Sequence, residues 1–230
     1  MKIGLNARFL LHPYTGIGQY TRFLVESLAK IDRQNEYFLF TPELVDWNLP
    51  DHVHQIRVLE KLFKAGQGLA KSHWEHTLLP RELTMWKIDL IHFLYPSNPW
   101  RRLKIPTLVT VHDVIPWRLK AYRQSWRSKL YHFYAGRALR KADHLITVSE
   151  FSKREIMEVF KIKEKNIAVI PHGVPFNPTL GKSSEPEIPS LPLRRNFLLY
   201  VGGYDERKNV PLLIKAYLKC IANHFPIDLI

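Results

Sequence analysis

The chain is 230 residues long and has one cysteine, Cys220, so neither a disulfide framework nor a thiolate metal cluster can be built from it. That scarcity suits a reducing compartment, and the expected location is cytoplasmic, with the inner face of a membrane as a peripheral station. No apolar run approaches the ~18 residues of a membrane span. The start, Met1-Lys-Ile-Gly-Leu-Asn6, reads as a strand and not as a signal peptide. Zinc-ligand spacings and an RNP motif are both missing, which weighs against a nucleic-acid reader. Acid is in short supply as well. The net charge is +13, and surfaces of that kind attract nucleic acid, anionic lipid or phosphorylated substrates. Charge alone does not choose, so a basic nucleic-acid-binding module stands as the alternative class.

What is present is globular: 46% apolar and 24% charged residues. Short apolar runs alternate with helical patterns, which predicts an α/β fold with a Rossmann-like, doubly wound parallel sheet. Strands are expected at 2–6, 37–41, 53–59, 88–93, 106–111, 143–148 and 166–171. Helices are expected from about Gln19 to Ile31, with Tyr20, Phe23, Leu24, Ser27 and Leu28 buried, and over Trp126–Lys141. A third starts at Trp74-Glu75 and is interrupted by Pro80, and a fourth is capped by Ser149 and runs to about Phe160. Five prolines between Pro175 and Arg195 forbid a continuing helix or central strand. Residues 175–195 are therefore a linker between a domain at 1–174 and the beginning of a second at 196–230. One strand, one helix and the start of another strand cannot cover a parallel sheet, so the second domain is expected to be incomplete. The alternative is an appendage docked on the first domain.

Ligands of such sheets collect outside the carboxyl ends of the strands. Polar and glycine residues fall there repeatedly: Gly16 and Gly18, Tyr95 to Asn98, His112 and Asp113, Ser149, His172 and Gly173, and Gly202 to Lys208. The last group is the most informative. Phe197 to Val201 reads as a buried strand, Gly202-Gly203 as a turn, and Val210 onward as a helix with Pro211 in its first turn and Asn209 available as a cap. A helix N-terminus, a close backbone approach and the cations Arg207 and Lys208 together suit a phosphate. An ordinary strand-to-helix turn with two solvated cations is the plainer account. Gly16-Ile-Gly18 lacks the third glycine of a dinucleotide fingerprint. His112 is either a hydrogen-bonded structural histidine or a ligand-facing one, and Asp113 either orients it or caps the next segment.

These segments taken together resemble the retaining glycosyltransferases of family 4, with motifs in the expected order along the chain: a Trp-Glu pair, Asp-Leu-x-His, His-Asp-x-x-Pro, Ile-Pro-His-Gly-Val, and last Gly-Gly with Arg-Lys-Asn. The resemblance covers most of residues 1–220. It implies the GT-B fold, two Rossmann-like domains, of which the second is truncated here. It further implies transfer of a sugar from a nucleotide-sugar to a glycan or lipid-linked acceptor, as in cell-envelope polysaccharide synthesis. Gly16, Gly18, Ser149, Gly202, Gly203, Arg207 and Lys208 would bind the donor, and Tyr95, Asn98 and His112 the acceptor. His112, Asp113, Arg207 and Lys208 would assist the chemistry. A mannosyltransferase-like hexosyl transfer is expected, without metal or cofactor, because no Asp-x-Asp pair is present. The family's downstream glutamate pair would lie beyond Ile230, so this chain alone is expected to transfer little. Gly203 stands where some relatives carry a third cation. A different GT-B nucleotide-sugar enzyme, such as an epimerase, is a further alternative.

The run Trp117–Lys141 holds eight cations and no acid, with Trp126, Leu130, Phe133 or Tyr134, and Ala138 between them. It reads as a core-facing helix with a solvated basic face, or as an attachment to anionic lipid headgroups.

Overall fold

A computed structural model describes residues 1–60, 67–173, 197–222 and 227–230. The chain divides into two compact units, Met1–Pro175 and Phe176–Ile230. The proline-rich segment read as a linker, 175–195, lies outside the described residues.

In the first unit, among the described residues, seven strands form one parallel sheet in the order β3-β2-β1-β4-β5-β6-β7. They are β1 (Lys2–Asn6), β2 (Glu36–Thr41), β3 (Val53–Arg57), β4 (Leu90–Phe93), β5 (Thr107–Thr110), β6 (His144–Thr147) and β7 (Ile167–Val169). The order reverses between β1 and β4, which is where a doubly wound sheet opens a crevice for ligands. Strand β2 shows why both faces must be covered. Tyr37 and Leu39 join one apolar cluster, with Leu5, Val25 and Ala29, while Phe38 and Phe40 join another, with Trp74, Leu83, Ile91, Ile156 and Phe160. Successive side chains of a strand point to opposite faces, so the first cluster lies under helix α1 (Gly16–Ile31) and the second under helices α3 (Leu79–Met85) and α6 (Glu150–Phe160).

Three expectations are corrected here. Helix α1 begins at Gly16, so Gly16-Ile-Gly18 forms its first turn and is not a preceding loop. Its deepest line is Gly18, Thr21, Val25 and Ala29; small residues let the helix approach the sheet, and Ser27 is exposed. Pro80 interrupts nothing. The chain is helical through α2 (Gln67–His73), a wider π-type turn at Trp74–Leu78, and α3, whose second residue is Pro80. Helix α5 (Trp126–Leu139), which follows the short α4 (Ile115–Arg118), does not bury the predicted stripe. Of that stripe Ala138 alone is buried, beside Gly136 and Leu139 near the C-terminus, among the described residues of the helix; Trp126 is 68% exposed and Phe133 62%. Gly136 suits that close approach: a Cβ would stand 3.2 Å from the Phe160 ring, which would have to give by a few tenths of an ångström.

The second unit pairs β8 (Phe197–Leu198) with β9 (Asp228–Leu229) in parallel, beside helix α7 (Val210–Ala222). The buried strand expected at 197–201 is shorter and largely exposed, with Leu199 63% accessible. Two strands and one helix do not enclose it. Val210 is the buried apolar residue of α7.

Candidate functional site

At the reversal point of the first unit, the ends of β4 and β5 and the first half of α1 bring together polar groups that are far apart in sequence. The Nε2 of His92 lies 2.8 Å from Thr110 Oγ1, which lies 3.2 Å from the Tyr20 hydroxyl. Burial drives His92 down to about 3, with His112 nearby adding to the effect, so its ring is neutral at ordinary pH. The Tyr20 phenol is pushed up by burial and stays protonated.

His112, just beyond β5, donates from Nε2 to the Leu94 carbonyl at 3.0 Å. That bond fixes the tautomer, leaving Nδ1 with a lone pair in the neutral ring. Burial lowers the His112 pKa, outweighing the Leu94 carbonyl. Its ring centroid is 4.8 Å from Tyr20 and 5.3 Å from His172, and Tyr20 is 4.9 Å from His172. Three rings from α1, β5 and the segment after β7 thus meet outside the strand ends. Asp113 accepts from the Ile115 N–H at 3.0 Å, closing the turn into α4. Ser149 accepts from the Ser152 N–H and caps α6, while the Ser152 hydroxyl donates to the His112 carbonyl.

The two glycines of the first loop differ. A Cβ at Gly16 would meet nothing within 4 Å, whereas one at Gly18 would stand 2.1 Å from the His12 carbonyl oxygen. Gly18 is thus required by its own backbone neighbours. Thr15 caps the helix through Gly18 N–H.

Tyr95 and Asn98 follow β4 and are 2% and 5% exposed. The Tyr95 hydroxyl donates to Glu75 and accepts from Asn6, and the Asn98 amide donates to the Ala138 carbonyl. Burial first, then Glu75, pushes the Tyr95 phenol well up. Both side chains brace the loop after β4. Glu75, read from sequence as half of the Trp-Glu pair, is joined there by Lys71 and Arg8, which were not singled out. Glu75 lies buried at 3.7 Å from Lys71. Arg8, directly after β1, pairs with Glu60 at 3.1 Å and lies over Trp74. A cation placed immediately beyond the first strand was the available signal for Arg8.

In the second unit the glycine turn is exposed throughout, from Val201 to Asn209. The Tyr200 hydroxyl donates to the Gly203 carbonyl at 2.7 Å, and a Cβ at Gly202 would stand 2.8 Å from that hydroxyl. Around Gly203 nothing lies within 4 Å of an added Cβ. A 3-10 turn at Glu206–Lys208 leads to Asn209, whose φ of 48° is left-handed and whose carbonyl accepts the N–H groups of Leu212 and Leu213. Arg207 pairs with Asp205 at 3.1 Å, so part of its charge is already compensated. Among the described residues, no three His, Cys, Asp or Glu side chains converge, and no helix is long and apolar enough to cross a membrane.

The profile of Glycosyltransferase Family 4 matches residues 14–177. The O-antigen chain mannosyltransferase B of Escherichia coli is 25% identical over 94% of this chain and 60% of its own length. The chain thus spans about three fifths of the length of that curated relative. Among solved structures, a lipopolysaccharide outer core galactosyltransferase, WaaB, matches with a TM-score of 0.55 at 13% identity, over 94% of this chain and 57% of that one. A UDP-N-acetylglucosamine 2-epimerase matches with a TM-score of 0.50 at 10% identity, over 99% and 62%. At such identities these likenesses concern the fold, and it is the Rossmann-like α/β fold of GT-B glycosyltransferases.

Proposed function

The chain belongs to glycosyltransferase family 4, and on that premise we propose a retaining transferase that moves a sugar from a nucleotide-sugar to a glycan or lipid-linked acceptor in envelope polysaccharide synthesis. The observation that bears most weight is the family match across residues 14–177, which spans the strand edge where Tyr20, His112 and His172 meet. The mannosyltransferase relative makes a mannosyl group the first donor sugar to try.

In this reading the first unit handles the acceptor side and the second holds the donor diphosphate. Departure of a nucleoside diphosphate builds negative charge on its outer phosphate. Arg207, Lys208 and the positive end of the α7 dipole are of the right sign and stabilise that charge as it develops. The open space about Gly203 and Gly16 lets phosphate oxygens approach backbone. His112, neutral and fixed by Leu94, offers Nδ1 to a sugar hydroxyl and orients it. Asp113 and Ser149 act through the backbone, by holding the segments on either side of His112.

The test is a thermal-shift screen against UDP-, GDP- and ADP-sugars. One nucleotide class should raise the melting temperature, in line with about 2.7 kcal/mol at a hundredfold excess over Kd. Silence toward all three, together with salt-sensitive binding of unrelated oligonucleotides, would favour the nucleic-acid module instead. Product NMR at the anomeric carbon checks retention, and release of a free epimerised nucleotide-sugar would point to the epimerase alternative.

We also propose that α5 rests on an anionic membrane surface. Supporting this are Trp126, Leu130 and Phe133, exposed along one stripe in a run of eight cations without acid. Flotation with anionic vesicles should capture the protein, and equal behaviour with neutral vesicles would remove the idea.

A further inference from the structure

Three polar groups at the strand ends have no task in the reaction outlined above: His92 on β4, Thr110 closing β5, and the hydroxyl of Tyr20 on α1. His92 is 6% exposed and Thr110 0%. Their neighbours along the same strands, Ile91, Phe93 and Val109, are apolar and fully buried. Leucine and valine would fill the two polar positions without needing hydrogen-bond partners. Polar groups kept where apolar ones would pack are expected at functional positions.

The three groups form one chain. Thr110 Oγ1 lies 2.8 Å from His92 Nε2 and 3.2 Å from the Tyr20 hydroxyl, so a single threonine ties the tip of the tyrosine to the sheet. A phenol ring held at both its Cβ and its hydroxyl keeps only rotation about that axis. His112 meets the ring edge-on, at 4.8 Å and 85°, and His172 meets it at 4.9 Å and 51°. The two imidazoles then stand 5.3 Å apart. His112 has its own anchor in the Leu94 carbonyl, whereas His172 is exposed and rests on these ring contacts.

We propose that Tyr20 is a positioning residue of the transfer site: tied through Thr110 to His92, its ring spaces His112 and His172 so that both imidazoles meet one sugar; the assignment rests on the transferase reading above. Thr110 and His92 act only through Tyr20. Burial keeps His92 and Tyr20 uncharged, so the chain carries orientation and no charge. A merely structural tyrosine would use its hydroxyl to close α1 against the sheet and leave the histidines indifferent to it.

The experiment follows the imidazole signals of His112 and His172 by long-range proton–nitrogen NMR across pH. It compares the wild type with Tyr20→Phe, Thr110→Val and Thr110→Ser, the signals being assigned through His112→Gln and His172→Gln. Tyr20→Phe keeps the ring but unties it, and should melt about 2–4 °C lower. Both ring signals should shift, and the His172 midpoint, held below 6.5 by burial, should move back toward 6.5. Thr110→Val should act in the same way, and Thr110→Ser should restore the wild-type signals. The nucleotide-sugar that stabilises the protein should bind Tyr20→Phe about tenfold more weakly, roughly the worth of one hydrogen bond made from a displaced ring.

Lowered melting with both histidine signals unmoved overturns the assignment, as does a shift that Thr110→Ser fails to reverse. Undiminished nucleotide-sugar binding by Tyr20→Phe overturns it too. Should Thr110→Val fail to fold, Tyr20→Phe decides by the same signals. If no nucleotide-sugar binds the wild type, shifts that Thr110→Ser reverses still support the positioning by Tyr20, and the transferase reading is what fails.

Discussion

In the first unit His92, Thr110 and Tyr20 are linked behind a sheet covered on both faces, whereas in the second unit every residue from Val201 to Asn209 is exposed. The two sets of residues assigned to one reaction are thus held by different physics. His112 is fixed by the Leu94 carbonyl and by its ring neighbours, so its orientation is established before any ligand arrives. Arg207 lies on an exposed turn with Asp205 as an ion-pair partner, and a phosphate would have to compete for it. Substitutions in the first unit should therefore register as lost stability, and those in the turn as lost affinity with the fold intact.

The sharpest way to break this contrast is in the core. Phe160 is 1% exposed and packs edge-to-face on Trp117 at 4.9 Å. Phe160→Ala should cost about 3–5 kcal/mol in urea unfolding. A loss near that expected for an exposed residue would mean the lower face of the sheet is not closed.

Next in size is the turn. Replacing Arg207 and Lys208 together by Ala should weaken nucleoside diphosphate binding about 10–100-fold in calorimetry, the range for charge-assisted hydrogen bonds, with melting unchanged. Retained affinity would remove these cations from the site. The paired glycines sharpen the same point within one loop. Gly18→Ala must displace the backbone at His12 and should lower the melting temperature clearly, while Gly16→Ala should leave it unchanged.

The buried histidines predict a pH dependence. His92 and His76 have folded pKa values of about 3 and about 4, below the ordinary 6.5. The unfolded chain therefore binds protons that the folded chain refuses. Stability is full above pH 6.5 and falls as pH drops from there toward 4, by up to about 1.4 kcal/mol per pH unit for each such histidine. Melting curves should show this decline, and His92→Asn should flatten it. The smallest effect is expected in the second unit, where Leu218 is 58% exposed and Leu218→Ala should change stability by under about 0.5 kcal/mol.

How much of this was legible from sequence can be judged residue by residue. The parallel sheet was, because short β-prone runs and helical patterns alternate, and a Ser149 cap is a local signal. The fate of α5 was not, since an apolar spacing of Trp126, Leu130 and Phe133 states that a stripe exists and not what covers it. Pro80 read as a break because the π-type turn before it leaves no mark in composition. Gly18 was read toward the donor by resemblance, and the steric demand that the His12 carbonyl adds there could not be read from the sequence. The meeting of Tyr20, His112 and His172 depends on strand order across more than 150 positions, beyond the reach of any local motif.

The widened turn at Trp74–Leu78 has a bearing on how this enzyme family could diversify. A turn of that type amounts to one residue more than a regular helix would hold in the same length. Removing a single codon there would restore ordinary winding and rotate Glu75 and His76 relative to Pro80 and everything after it. One deletion event would thus re-aim two side chains beside the loop after β4 while every strand of the sheet kept its place.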